Sequence, residues 1–398
     1  MPCVNVIARL LLKDHKAKVV HIMPFTIRLL YVPQTVKTQP LTLGIDTGSG
    51  TIGSAVVNSK NNVIYRSEIE IRNDITSKME QRSKYRRTRR TRKCRYRPCR
   101  FLNRKNSTKK GRLSPTLQSK IDAHMREIAF VKSLLPITNI ILEGGSFDPH
   151  ALKNPEVLKN PLLYQRGLNY GFYNTKAYIL YRDNHICQQC KGKSKDTRLH
   201  VHHLVFRSNG GSDTAENLTT LCETCHNAVH DGSLILRKKG IKKQLVHATQ
   251  MNVIISQLLK CVKAEETFGY MTKVHREALS IEKSHCNDAV MIASRGNAVH
   301  FNGNKILWKK CVEKGDYQQT KGSHSEKVIP TGKIHGFRKF DRVRYRGSTY
   351  FIKGRRSIGT ATLMDIHGDE QKFVVKPLTP KMELMQRIGS RKSWLMIE

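Results

Sequence analysis

Apolar residues along this chain fall in short bursts, and the period inside them changes from one burst to the next. Residues 8–13 read as a short helix and 18–31 as an extended stretch, and the segment from Val32-Pro33 to Pro40 is turn-like. Segments 41–46, 51–57 and 63–71 have strand length and composition, with Asn61-Asn62 as turn residues before the third. They predict a β-meander whose first strand, Leu41-Thr-Leu-Gly-Ile-Asp46, ends on an acid. Leu117, Ile121, Met125, Ile128, Val131, Leu134 and Leu135 recur at the spacing of an amphipathic helix. Residues 137–142 form an apolar strand that runs into Glu143-Gly-Gly, and further helices are predicted over 174–182, 248–265 and 284–294. Beyond about Asp316 the bursts are strand-like and punctuated by Gly332, Gly336, Gly347, Gly354, Gly359 and Gly368. That pattern predicts a small basic β-barrel.

Composition narrows the choice of partner. The 398 residues carry 71 Lys+Arg against 31 Asp+Glu, a formal charge of +40 that would repel itself on an isolated globule. A polyanion is the expected partner. No apolar run approaches the ~18 residues that would span a membrane. The apolar burst near the N-terminus is followed at once by Lys13, His15, Lys16 and Lys18, a poor secretory signal. The expectation is a soluble cytoplasmic protein of two or three domains. Charge is concentrated in residues 82–105, which hold 13 Lys or Arg and no acid. A helix there would be charged on every face, which suits phosphates approaching from more than one side. Of ten cysteines, Cys187-Gln-Gln-Cys190 and Cys222-Glu-Thr-Cys225 form two short pairs. Four thiolates so spaced suit one tetrahedral structural Zn²⁺, while Cys3, Cys94, Cys99, Cys261, Cys286 and Cys311 show no ligand spacing.

Three acids far apart in sequence draw attention next. Asp46 and Glu143 end strands, and Asp288 sits three residues after His285 at the head of a helix, on the same face. Acids so placed can converge over a sheet and hold two Mg²⁺ ions about 4 Å apart, a geometry for phosphodiester hydrolysis. Asp46-Thr-Gly-Ser, the strand ending at Glu143 and His285-Cys-Asn-Asp288-Ala resemble the three split segments of a RuvC nuclease domain. The zinc-framed segment between the second and third resembles an HNH domain. In order and motifs, nearly the whole chain is similar to IscB, the transposon-encoded RNA-guided nuclease family related to type II CRISPR effectors.

That resemblance implies a multidomain α/β protein: an RNase H-like split RuvC domain, an inserted ββα-metal HNH domain, an Arg-rich bridge helix and a small C-terminal β-rich domain. The implied boundaries are 1–40 for a PLMP-like domain, beginning directly at Met1-Pro2-Cys3 and so shortened, and 41–76 for the first RuvC segment. The bridge helix follows at 77–112, the second RuvC segment and a linker at 113–180, the HNH domain at 181–240 and the third RuvC segment at 241–315. A domain reading a target-adjacent motif occupies 316–398. Asp46, Glu143 and Asp288 would bind two Mg²⁺ (or Mn²⁺), with His285 assisting. In the HNH segment His203 would be the general base and Asn217 would orient it through its side-chain amide. His202, where many members have Asp, and His226 would bind one Mg²⁺, and His230 is a further candidate ligand. Arg82, Arg86, Arg87, Arg89, Arg90, Arg92, Arg95, Arg97 and Arg100 would contact nucleic acid, and Tyr85, Tyr96 and Phe101 would stack or pack. The implied activity is RNA-guided cleavage of double-stranded DNA by a monomer bound to a noncoding guide RNA, the HNH centre cutting the guide-paired strand and the RuvC centre the displaced one. An unguided nuclease and a non-catalytic zinc-containing nucleic-acid-binding protein are the alternatives.

Overall fold

Strands of alternating or continuous apolar character dominate the first half of the chain and organise a central sheet. The structure, a computed structural model, describes residues 3–32, 38–91, 112–145, 148, 151–152, 154–206, 213–236, 246–301, 303, 305–313, 317–318, 327–328, 332–373 and 379–398. Two units are distinguished: Met1–Ser146 with Gln250–Glu398, and Phe147–Thr249.

The first unit opens with helix α1 (Asn5–Lys13) and the antiparallel hairpin β1 (Ala17–Ile22) and β2 (Phe25–Leu29). Strands β3 (Leu41–Asp46), β4 (Thr51–Asn58) and β5 (Asn62–Glu70) follow as an antiparallel meander. Helix α2 (Ile75–Thr91) and helix α3 (Pro115–Leu134) come next, the latter capped by the Ser114 hydroxyl accepting from Leu117 N, with Pro115 in its first turn. Strand β6 (Asn139–Gly144) then pairs parallel to β3.

The second unit contains α4 (Thr175–Arg182), the antiparallel pair β7 (Leu199–His203) and β8 (Leu218–Cys222), and α5 (Glu223–His230). Its small core gathers Cys187, Leu221, Cys222, Cys225 and Leu236. The chain continues through α6 (Val246–Cys261), β9 (Glu265–Phe268), α7 (Gly269–Ala278), α8 (His285–Ser294), β10 (His300–Phe301), β11 (Leu307–Cys311), and the short ladder β12 (Tyr317–Gln318) with β13 (Lys327–Val328). It ends with β14 (Arg342–Tyr345), β15 (Ser348–Arg355), β16 (Ala361–Met364), β17 (Gln386–Gly389) and β18 (Trp394–Ile397).

The central sheet runs β18-β11-β5-β4-β3-β6-β9, with β10 beside β5. Side chains alternate between its faces, and the two faces bury different helices. Leu43, Ile45, Ile52 and Val56 pack with Ile121, Ile128 and Val131 of α3 and Ile254 and Leu258 of α6. Ala55, Val57 and Val63 pack with Ala289, Val290, Met291 and Ala293 of α8. Gly44 and Gly53 let α8 come close: a Cβ at Gly44 would lie 2.3 Å from Ala289 O, and one at Gly53 would lie 1.9 Å from His285 O.

The tail differs from the expected barrel. Among the described residues, β16-β15-β14-β17 form an open antiparallel sheet around Val343, Tyr345, Ile352 and Leu363. Strand β18 leaves that sheet and pairs antiparallel with β11. Its two faces bridge the two sheets: Trp394 joins the α3 core, while Leu395 packs with Phe351 and Met364 of the tail sheet. The helix expected at 248–265 ends at Cys261 and gives way to β9 and α7, neither of which the pattern announces. No described helix is long and apolar enough to cross a membrane.

Candidate active sites

Neighbouring parallel strands place the first two acids side by side. Asp46 closes β3, and its register partner's neighbour on β6 is Glu143, since Ile45 lies opposite Leu142. Helix α8 reaches them across Gly53, which opposes Asp46 in the β3–β4 register. His285 Nδ1 lies 2.6 Å from Asp46 Oδ2. This hydrogen bond, partly offset by burial and reinforced by the Asp46 charge, holds the imidazole above its ordinary range, so it favours imidazolium.

Burial, then the charge of Asp46, pushes Glu143 up to about 7, and Asp288 adds to the push. Asp288 is also raised, by burial first and Asp46 second. Helix α7 counters both effects. Thr272 Oγ1 donates to Glu143 Oε2 at 3.2 Å, and Arg276 Nε stands 2.9 Å from Asp288 Oδ1. The Thr47 hydroxyl also donates to the Glu143 carbonyl. Asp46 raises the proton affinity of both Glu143 and Asp288, so the three carboxylates together are an oxygen donor set short of positive charge. That chemistry fits hard divalent cations.

In the second unit the four cysteines meet: their sulfurs lie within 4.8 Å of one another. Ser194 Oγ sits 3.1 Å from Cys222 Sγ and 3.4 Å from Cys190 Sγ, and these hydroxyl and backbone contacts bring the Cys190 thiol down to about 6. Four such sulfurs fit one structural Zn²⁺ with no open position.

A second cluster stands on β7 and α5. His202, His226 and His230 bring one ring nitrogen each within 4.8 Å of the others. Their spacing explains it: His226 and His230 share a helix face, and His202 is presented to that face by the strand. His202 is 4% exposed, and neither ring nitrogen has a hydrogen-bond partner. Burial first, then the neighbouring imidazoles, pushes the His202 and His226 rings below the ordinary histidine range, so they favour the neutral, ligating form. His200, two residues before His202, stacks on His226 at 4.8 Å.

The pleat turns His203 the other way, where its Nε2 meets Asp213 Oδ1 at 2.7 Å. Asn217 is fully buried, and its carboxamide accepts from Val205 N at 2.8 Å and donates to Val205 O at 3.0 Å. The direct amide contact expected to orient His203 is thus directed to the backbone two residues later. A buried Asn with a strand end beside it satisfies both amide groups best on main-chain partners.

On helix α2, Arg82, Arg87 and Arg89 are exposed and Arg86 is half-buried. Tyr85 is 5% exposed and accepts from Gln81 Nε2 at 2.7 Å, so it anchors the helix rather than offering a ring for stacking. The helix is described to Thr91, without the Arg90 side chain. Arg92, Arg95, Tyr96, Arg97, Arg100 and Phe101 lie outside the described residues. Sequence reasoning missed Thr272, Arg276 and Asp213, none of which belongs to a spaced motif.

Residues 1–167 match the RRXRR protein family, and Arg86-Arg87-Thr88-Arg89-Arg90 spells that pattern. Residues 187–232 match the HNH endonuclease family, so the chain contains an HNH endonuclease segment spanning both cysteine pairs and the imidazole cluster. Over 62 residues the chain is 39% identical to the type IV methyl-directed restriction enzyme EcoKMcrA of Escherichia coli K12, covering 14% of this chain and 22% of that enzyme. Solved structures with similarity include Streptococcus thermophilus Cas9 in complex with the GGAA PAM, at 13% identity and a TM-score of 0.34 over 53% of this chain and 30% of Cas9. The same protein in complex with the AGAA PAM gives 12% identity and a TM-score of 0.34 over 63% and 32%. The chain spans about a third or less of the length of each of these proteins.

Proposed function

We propose that this protein is an RNA-guided DNA endonuclease of the IscB kind with two hydrolytic centres, one of the RuvC type on the central sheet and one of the HNH type in the second unit. The observation that carries the nuclease reading is the His203–Asp213 pair beside three converging imidazoles, inside a segment that matches HNH endonucleases. In the HNH centre His203 takes the proton of the attacking water, and Asp213 holds its ring and stabilises the imidazolium that forms. His202, His226 and His230 would hold one divalent cation there. On the central sheet Asp46, Glu143 and Asp288 would hold a pair of cations, and His285, tied to Asp46, is placed to move a proton. Bound cations would polarise the scissile phosphate and stabilise the leaving oxygen.

Guiding by a noncoding RNA is supported by the arginines of α2, whose charge is spread too widely to be a contact for one surface. A monomeric ribonucleoprotein in a prokaryotic cytoplasm, bound to duplex DNA beside a short flanking motif, completes the proposal. An unguided endonuclease is the second reading, favoured by the likeness to a restriction enzyme.

Two experiments test this. RNA co-purifying with the protein, expressed beside its native flanking DNA, is sequenced; one structured RNA with a variable end supports guiding, and a heterogeneous smear favours the second reading. With that RNA, Asp46→Ala leaves a nick only in the paired strand and His203→Ala only in the displaced strand. Double-strand cutting by either variant refutes the assignment of centres.

A further inference from the structure

Magnesium is the ion that a two-carboxylate or carboxylate–histidine nuclease centre would take, yet the HNH-type cluster has no carboxylate. Among the described residues its ligand group is His202, His226 and His230 alone. Three acids of this unit have partners outside the cluster: Asp213 meets His203, Glu223 pairs with Arg198 at 3.4 Å, and Asp196 accepts from Thr224 N at 2.9 Å. Mg²⁺ demands oxygen ligands and gives up its waters reluctantly, whereas neutral imidazole suits zinc, nickel, cobalt and iron(II).

The surroundings point the same way. Phe206 packs edge-on to His202 at 5.3 Å and tilted against His230 at 5.6 Å, and His200 stacks on His226. These rings surround the cluster with aromatic edges and faces, and among the described residues no carboxylate joins its ligand group. His202 itself, 4% exposed, has two unpartnered ring nitrogens. A buried polar group left so is costly, and a bound metal ion would offset that cost. The three nitrogens, within 4.8 Å of one another, need only a modest contraction to reach the spacing of about 3.4 Å that bonds of about 2.1 Å impose on a tetrahedron.

We infer that His202, His226 and His230 form a three-imidazole site for a first-row transition-metal ion of the zinc, nickel, cobalt and iron(II) class, and that this centre does not work on magnesium. The fourth position stays open for water or a phosphate oxygen. The two hydrolytic centres of one chain therefore take different ions, oxygen donors on the central sheet selecting a hard one and imidazoles in the second unit a softer one. This rests on reading the cluster as the HNH centre, but its binding test does not.

The full-length chain carrying Asp46→Asn, which weakens the carboxylate centre, and loaded with zinc at its four cysteines, is titrated calorimetrically with Ni²⁺ and with Mg²⁺. One equivalent of Ni²⁺ binds, and Mg²⁺ at the same concentrations gives no matching event. His230→Ala, at an exposed ligand position that leaves the core intact, weakens Ni²⁺ binding by at least the roughly 10–100-fold that even outer-shell partners cost. His202→Asp restores Mg²⁺ binding. Equal binding of the two ions, or Ni²⁺ binding untouched by His230→Ala, overturns the assignment. Strand-resolved cleavage separates this from the proposed function. A chain that nicks the paired strand with Mg²⁺ alone keeps the function and loses the inference. One that binds Ni²⁺ at these histidines but cuts under no ion keeps the inference and loses the function.

Discussion

Lys309 sits in the middle of β11 with its ammonium fully buried, 2.5 Å from Glu127 Oε2 of α3, whose carboxyl is equally enclosed. Ser54, Ser67 and Tyr65 all donate to Glu127 Oε1, at 2.7, 2.8 and 2.9 Å. Burial pushes Glu127 up, but the Lys309 charge and the hydroxyls outweigh it and hold the carboxyl below its usual range, so the pair is ionised. Lys309→Met keeps an unbranched apolar stem of similar length and removes the charged ammonium, which also lies 4.1 Å from the Phe130 ring centroid and 4.7 Å from that of Trp394. An uncompensated buried carboxylate costs about 3–5 kcal/mol. Glu127 can escape by taking up a proton, which at pH 7 costs about 3 kcal/mol relative to an ordinary value of 4.5 and at pH 5 less than about 1. The expected deficit is therefore about 3 kcal/mol at pH 7, shrinking as the pH falls to 5, because the variant's folded state now holds a proton that its unfolded state releases. Glu127→Gln in the same chain should recover most of the loss. Both tryptophans, Trp308 and Trp394, lie in the first unit, so the midpoint of urea unfolding followed by their fluorescence reports that unit. A loss below about 1 kcal/mol, or one that does not change between pH 7 and pH 5, would refute the account of an ionised pair.

His124 is fully buried on α3 and its ring is pushed down to about 4, by burial first and with only partial return from the Lys120 carbonyl. Its unfolded form takes up a proton near 6.5, so the stability of the first unit should fall by about 3 kcal/mol as pH drops from 6.5 to 4; in His124→Leu that part of the slope should vanish. Cys222→Ser, or stripping zinc with a chelator, should unfold the second unit, seen as lost amide protection in 199–230, while leaving the tryptophan fluorescence of the first unchanged. Replacing Arg87 and Arg89 together with alanine should weaken RNA binding and flatten its log–log salt dependence by about 0.7–0.9 per lost phosphate contact; an unchanged slope would mean that these side chains meet no phosphate.

Local pattern was enough for much of the frame. The meander 41–71 and the helix at 115–134 show their periods because their buried faces are mostly apolar, with Ser54, Ser67, His124 and Glu127 as buried exceptions, and strand-end acids are visible as breaks in those runs. The cysteine pairs and the i, i+4 histidines 226 and 230 are likewise local spacings. What stayed hidden lacks a period. Strand β9, Glu265-Glu-Thr-Phe268, lies at the sheet edge with little buried surface, so nothing selects apolar residues there. Helix α7 buries Thr272 alone, and its use of Thr272 and Arg276 depends on acids 129 residues upstream and 12 residues downstream, a relation only the folded chain creates.

The tail shows the same limit from the opposite side. Trp394 to Ile397 reads as one more strand of a β-rich domain, and its local pattern is strand-like, yet which sheet it joins is decided by a vacancy beside β11 that no neighbouring residue announces. The hidden pieces at the carboxylate centre share a physical role. Arg276 places a positive charge against Asp288, and Thr272 supplies a hydrogen bond to Glu143, both from a helix that is otherwise exposed. An element held by so little apolar burial is kept in place largely by the acids it touches. Its docking should therefore tighten or loosen with their charge, and cation binding at those acids should change amide protection along 269–278 more than along the buried helix 285–294.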